Sequence, residues 1–219
     1  MRIEGALMLL PCLISIIYGD GEGMYYGIVA GVLIISGFIG CHFVPKDQSI
    51  NVKEGYTVTG LSWIVMSLFG CLPFWLSGEI PSFTNAFFET VSGFTTTGAS
   101  ILSNVEGLTH TALFWRSFTH WIGGMGVLVF LLALIPMSGG SNINLMKAES
   151  PGPSVGKLVP KIRKTALILY VIYMILTLLE TVFLLFGGLN LFDSLCLAFG
   201  TAGTGGFAIR NDSFISRMP

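Results

Sequence analysis

The chain has 219 residues, of which 53% are hydrophobic and 11% charged, and its mean hydropathy is +0.78. Soluble domains carry about 25% charged residues, so the composition excludes an ordinary soluble domain and implies an integral membrane protein. The net charge of −1 points to no polyionic partner; the placement of charge along the chain is the informative quantity.

A membrane helix needs about 20 apolar residues. The first candidate, 3–19, follows Arg2 and contains the apolar run Ala6 to Tyr18. It has no small-x-small cleavage site, and Gly19-Asp20-Gly21-Glu22 is a turn signal, so it is expected as a retained helix. The second candidate is 24–44, and the linker 45–56 carries Lys46 and Lys53. The third, 57–77, contains Pro73 and is expected to kink there, which membrane helices tolerate when a neighbour satisfies the freed carbonyl. Two further full spans are 112–137 and 165–187. The apolar stretches 83–94 and 191–200 are too short to cross and read as re-entrant helices.

Basic residues orient this pattern. Lys147, Lys157, Lys161, Arg163 and Lys164 lie in the linker 138–164, whereas 19–23 and 78–111 contain no Lys or Arg. The two linkers are therefore expected to face the cytoplasm, with the N-terminus, and the other loops outward. Five helices alternate consistently only if 83–94 enters and leaves on the outer side. The linker 138–164, with its turn-rich Glu149-Ser150-Pro151-Gly152-Pro153, is the natural docking surface for a cytoplasmic partner. Cys12, Cys41, Cys71 and Cys196 stand singly, with no CxxC or Cys/His cluster to hold a transition metal.

An internal repeat has an offset of 108 residues (206 − 98). It places Thr96-Thr97-Gly98-Ala99 over Thr204-Gly205-Gly206-Phe207, Lys53 over Lys161, Thr57 over Thr165, and Asn85 over Asp193. The shared layout is a basic edge, a spanning helix, a short helix and a Thr/Gly loop. The counterpart of 112–137 would start near residue 220, so the repeat predicts a piece of a longer protein. The expected organisation is two N-terminal helices (1–52), a first helix–pore loop–helix repeat (53–137), the linker 138–164, and a second repeat cut before its last helix (165–219).

Asn85 and Asp193 are candidate N-caps for the short helices. Each helix would then aim its C-terminal end, with a partial negative charge of about half an elementary charge, at the Thr/Gly loop. Gly98 and Gly206 allow backbone conformations closed to other residues. Rings of loop carbonyls can replace an ion's hydration shell, and irregular backbone at that depth must line a cavity or be buried in protein.

These residues carry a resemblance. Ser92-Gly-Phe-Thr-Thr-Thr-Gly-Ala-Ser100, Phe114-Trp-Arg-Ser-Phe-Thr-His-Trp-Ile-Gly-Gly-Met-Gly126 and Thr204-Gly-Gly-Phe-Ala-Ile-Arg-Asn-Asp-Ser213 resemble the helix–pore–helix repeat of the Trk/Ktr/HKT superfamily of potassium transporters, in its bacterial TrkH type. The resemblance implies an all-α membrane fold with four repeats around a pseudo-fourfold pore, incomplete here. It implies potassium coordination by carbonyls around Thr96, Thr97, Gly98 and Ala99, and around Thr204, Gly205, Gly206 and Phe207. It also implies a homodimer in the inner (plasma) membrane, a cytoplasmic nucleotide-binding regulatory subunit of the TrkA type, no cofactor in this chain and no nucleic-acid partner.

Isolated charges in apolar surroundings are usually paired or functional. Glu89 and Arg116 are expected to form an ion pair bracing the first short helix; direct ion binding by Glu89 is the functional alternative. Arg210 is a candidate partner for Glu180, and His120, one turn from Arg116, reads as a core histidine. Gly123-Gly124-x-Gly126 reads as a packing motif inside a full helix, with a gating hinge as the alternative. Competing readings are sodium-coupled or sodium-permeable transport, a non-conducting assembly subunit, and an intramembrane enzyme using Glu89, His110, His120 and Asp193. The last lacks any HExxH, GxSxG or paired-carboxylate spacing, so no enzymatic activity is expected.

Overall fold

The computed structural model describes residues 1–42, 52–126 and 162–211. Among these the structure is all-helical: α1 (Arg2–Leu7), α2 (Leu9–Tyr18), α3 (Gly23–His42), α4 (Val52–Gly70), α5 (Leu72–Ser77), α6 (Phe83–Phe94), α7 (His110–Gly124), α8 (Ile162–Phe186) and α9 (Leu191–Ala202). The expected continuation to 137, the linker 138–161 and the stretch 212–219 lie outside the described residues.

The first expected span is two helices rather than one. The break falls at Met8, three residues before Pro11, whose missing N–H leaves the turn unsupported. The third span divides at Cys71, just before Pro73 at the start of α5. The carbonyl of Gly70 at that break accepts a hydrogen bond from the indole Nε1 of Trp115 at 2.9 Å. A neighbouring helix thus bonds a carbonyl at the break, next to that of Phe69, whose donor Pro73 lacks. By length and composition, Gly23–His42, Gly60–Ser77 and Leu167–Phe186 can each cross a membrane.

The helices fall into two kinds. α3 and α8 turn apolar side chains outward, with Ile35 62%, Phe183 70% and Phe186 85% exposed, as suits surfaces bathed in lipid. In α7 every residue from Thr111 to Ile122 is buried. It packs against α2, α6 and α9 and is the axis of the described structure. Three loop segments converge on its N-terminus. Thr109 caps it, accepting from the Ala112 N–H at 3.3 Å. Glu79 accepts from the Thr109 N–H at 3.1 Å, and Asp20 from the Thr111 N–H at 3.0 Å. Carboxylates at the positive end of a helix dipole are favourable, so this end of α7 is fixed firmly in place.

Candidate functional site

α6 and α9 are short because each is capped early and ends in irregular backbone. The caps are Ser82 and Asn190, whose side chains accept from the N–H groups of Asn85 (3.5 Å) and Asp193 (2.7 Å). This corrects the expected caps. Asn85 and Asp193 are the donors three residues further on, and the extended backbone of a cap belongs to Ser82 (φ −85, ψ 121) and Asn190 (φ −70, ψ 164). Ser82 and Asn190 are themselves related by the offset of 108 (190 − 82).

The loops that follow share one backbone path. Thr96 and Thr204 both have positive φ, 53° and 55°, and so do Gly98 and Gly206, at 72° and 81°. The Thr96 N–H donates to the Gly93 carbonyl at 3.0 Å, and the Thr204 N–H to the Thr201 carbonyl at 2.8 Å. The Thr97 N–H reaches back to Ser92 (3.0 Å) and the Gly205 N–H to Gly200 (2.9 Å). Each pair is separated by 108 residues (204 − 96, 205 − 97). A β-branched residue at positive φ is an outlier costing about 1–3 kcal/mol, and such strain clusters at functional sites. Glycine is required at Gly98 for a second reason: a methyl group there would overlap the carbonyl oxygen of Gly205. The two loops therefore touch, backbone to backbone.

Glu89 and Arg116 are brought together. Arg116 Nε lies 2.7 Å from Glu89 Oε1, and both side chains are almost fully buried. Glu89 Oε1 also accepts from Ser100 Oγ, and Oε2 from the Ile101 N–H, both at 2.9 Å. Arg116 Nη1 donates to the Ala208 carbonyl at 2.8 Å, and its guanidinium lies 3.6 Å from the Phe207 ring centroid. Phe207 also stacks on His120, with centroids 3.9 Å apart. His120 Nδ1 accepts from the Phe207 N–H at 3.4 Å, and a methyl group at Gly205 would collide with the imidazole.

The glycine motif does not lie inside a full helix as expected: α7 ends at Gly124, Met125 is its C-cap and Gly126 has φ 66°, and this end sits where both short helices end. A side chain at Gly123 would strike the Phe94 carbonyl, and one at Gly124 would strike Gly203. The packing role expected of this motif thus connects α7 to both loops. Arg210 pairs with Asp193 at 2.8 Å and not with Glu180. The guess failed because the loop turns Arg210 back to the start of α9. Of the four groups in the enzyme reading, Glu89 is neutralised by Arg116 and Asp193 by Arg210, while His110 stacks on Tyr18 at 4.1 Å. His120 is held against Phe207, and the four form no acid–base cluster. Among the described residues no group of three His, Cys, Asp or Glu side chains could hold a metal ion.

Sequence reading missed the side-chain role of Phe207 and the anchoring of Ser100, Ile101 and Ala208. The available signal was the spacing of Arg116 and His120, four apart and so on one face of α7.

Short capped helices ending in strained, touching loops inside an all-helical apolar frame define a membrane protein built from pore-loop repeats. The family described as TrkH, cation transport protein, matches residues 28–217, and the chain belongs to it. It is 37% identical over 210 residues to the Trk system potassium uptake protein TrkH of Escherichia coli (strain K12), covering 94% of this chain and 43% of that protein. It is 33% identical over 225 residues to TrkH of Halomonas elongata, covering 97% of this chain and 46% of that protein. The crystal structure of the potassium transporter TrkH from Vibrio parahaemolyticus superposes with a TM-score of 0.76 at 32% identity, covering 97% of this chain and 44% of that one. The chain thus spans less than half the length of these relatives.

Proposed function

We propose that this chain contributes two of the carbonyl loops through which potassium enters a cell, in a gated pore completed by further repeats of the same kind. The observation that carries the proposal is the matched backbone of Thr96–Gly98 and Thr204–Gly206 at the ends of two short helices. The helix ends place partial negative charge beside the loops, and loop carbonyls are the chemistry that replaces water around a potassium ion. Carbonyls around Thr96, Thr97, Gly98 and Ala99, and around Thr204, Gly205, Gly206 and Phe207, would be the ligands. Potassium is the cargo here. The relatives' names, potassium uptake proteins, support the choice of ion.

The proposal extends to a plasma-membrane location with the N-terminus and the linker 138–164 in the cytoplasm, supported by the distribution of Lys and Arg. It also extends to a homodimer and a nucleotide-binding cytoplasmic partner of the TrkA type, for which family membership is the support.

The test is Gly98→Ser in the protein at its full natural length, with potassium and sodium uptake measured in cells lacking other potassium transporters. Displacing the Gly205 carbonyl should lower the preference for potassium over sodium by about tenfold or more, the scale of one misplaced charged contact. An unchanged preference overturns the potassium-filter reading. Uptake of sodium equal to potassium in the unsubstituted protein would favour the sodium-permeable alternative.

A further inference from the structure

Glu89 stands on α6, and the position related to it by the repeat (89 + 108) is Leu197 on α9. The second short helix therefore has no carboxylate at the matching position; its own Asp193 holds Arg210, two residues beyond Ala208. The backbone leaving the second loop is reached from α7. Arg116 Nη1 donates to the Ala208 carbonyl, and its guanidinium covers one contact of the Phe207 ring while His120 supplies another. Arg116 is in turn held by Glu89 at 2.7 Å, and the two Glu89 oxygens receive Ser100 Oγ and the Ile101 N–H, the residues leaving the first loop. Starting from Ile101, an unbroken path of hydrogen bonds runs through Glu89 and Arg116 to Ala208. Both charges are buried, Glu89 1% and Arg116 2% exposed, so water does not compete for these bonds.

Resting on the potassium-filter reading, we propose that Glu89 and Arg116 are positioning residues for ion selectivity. One ion pair sets the spacing of both loops, the first through Glu89 and the second through Arg116. A carbonyl ring selects by the number and placement of its oxygens, and the two loops already meet at Gly98 and Gly205. A shift of either anchor therefore moves one set of carbonyls against the other. The role differs from a general brace of the fold, because each end of the pair bonds the backbone that leaves a loop.

The test compares Glu89→Gln, Arg116→Lys and the double variant with Gly98→Ser, all at full natural length. Arg116→Lys keeps the charge but loses the planar fork that serves Glu89 and Ala208 together. Glu89→Gln keeps the shape and removes the charge. The readouts are the ratio of potassium to sodium uptake, the maximal rate and the thermal midpoint of the purified protein. Each single variant is expected to lower the uptake ratio by about tenfold, as for loss of one charged hydrogen bond. The double variant should fall no further than the worse single, because both act on one path.

If Gly98→Ser lowers the ratio while both pair variants keep it and lose only thermal stability, the positioning role is overturned and the filter reading stands. If Gly98→Ser also leaves the ratio unchanged, the filter reading itself falls. Should a pair variant fail to accumulate, Ser100→Ala removes one bond to Glu89 without unpairing a charge, and an unchanged ratio there likewise overturns the proposal.

Discussion

The two Thr/Gly loops follow the same backbone path yet are secured in different ways. The first is tied by its own helix: Glu89, six residues before Thr95 (95 − 89), accepts from Ser100 and Ile101. The second is tied partly by its own helix, where Asp193 holds Arg210, and partly by a neighbour, through Arg116 and His120 on α7 and the buried ring of Phe207, which is only 3% exposed. The position matching Phe207 in the first loop is Ala99, which is exposed and has no ring to offer. The same local shape is thus reached with a carboxylate of the loop's own helix in both repeats, with the seat for a phenylalanine ring on α7 added in the second. Backbone strain at Thr96 and Thr204 is common to both, so the anchors hold each conformation together with the glycines at Gly98 and Gly206.

Substitutions can separate the two arrangements. The largest effect is expected for Arg116→Leu, which leaves Glu89 buried without a counter-charge. Removing one partner of a buried pair typically costs about 3–5 kcal/mol, and denaturant titration in detergent should show it. Phe207→Ala should cost a similar amount, about 3–5 kcal/mol as for other buried phenylalanines. Ala99→Gly, its counterpart, should leave the unfolding midpoint nearly unchanged. A Phe207→Ala protein as stable as the parent would remove the distinction between the loops.

Caps sharpen the comparison further. Asn190→Ala should destabilise by about 1 kcal/mol, and Ser82→Ala by less, since its capping bond is longer at 3.5 Å against 2.7 Å. Equal losses would argue that the helix starts are alike in solution. The smallest effect is expected for Thr96→Gly and Thr204→Gly. Relief of the left-handed conformation, roughly 1–2 kcal/mol, is offset by the greater backbone entropy of glycine, roughly 1 kcal/mol. Both variants should therefore unfold within about 1 kcal/mol of the parent, whereas Thr204→Pro, with φ fixed near −65°, should not form the loop.

Much of this arrangement was legible in the sequence. Apolar length alone placed the first short helix at 83–94, where α6 lies, and the kink of the third span followed from Pro73. Family resemblance and the offset of 108 identified both loops. The caps were misplaced because polar residues stand three apart at each helix start, Ser82 with Asn85 and Asn190 with Asp193. Only the extended backbone decides which of them caps. The left-handed threonines were illegible for a different reason: local preference opposes them, and tertiary contacts impose them. The partnership of Arg210 with Asp193 depended on how the chain folds back after the loop, a distance that residue types do not encode.

The bond from Arg116 to Ala208 joins parts of the chain 92 residues apart. The Phe207 N–H reaches back across 87 residues to His120 Nδ1. A chain made from its N-terminus tends to fold its earlier parts first. The seat for the second loop, with Glu89 and Arg116, is therefore translated before the loop itself leaves the ribosome. The residues that seat the later loop thus belong to the earlier repeat.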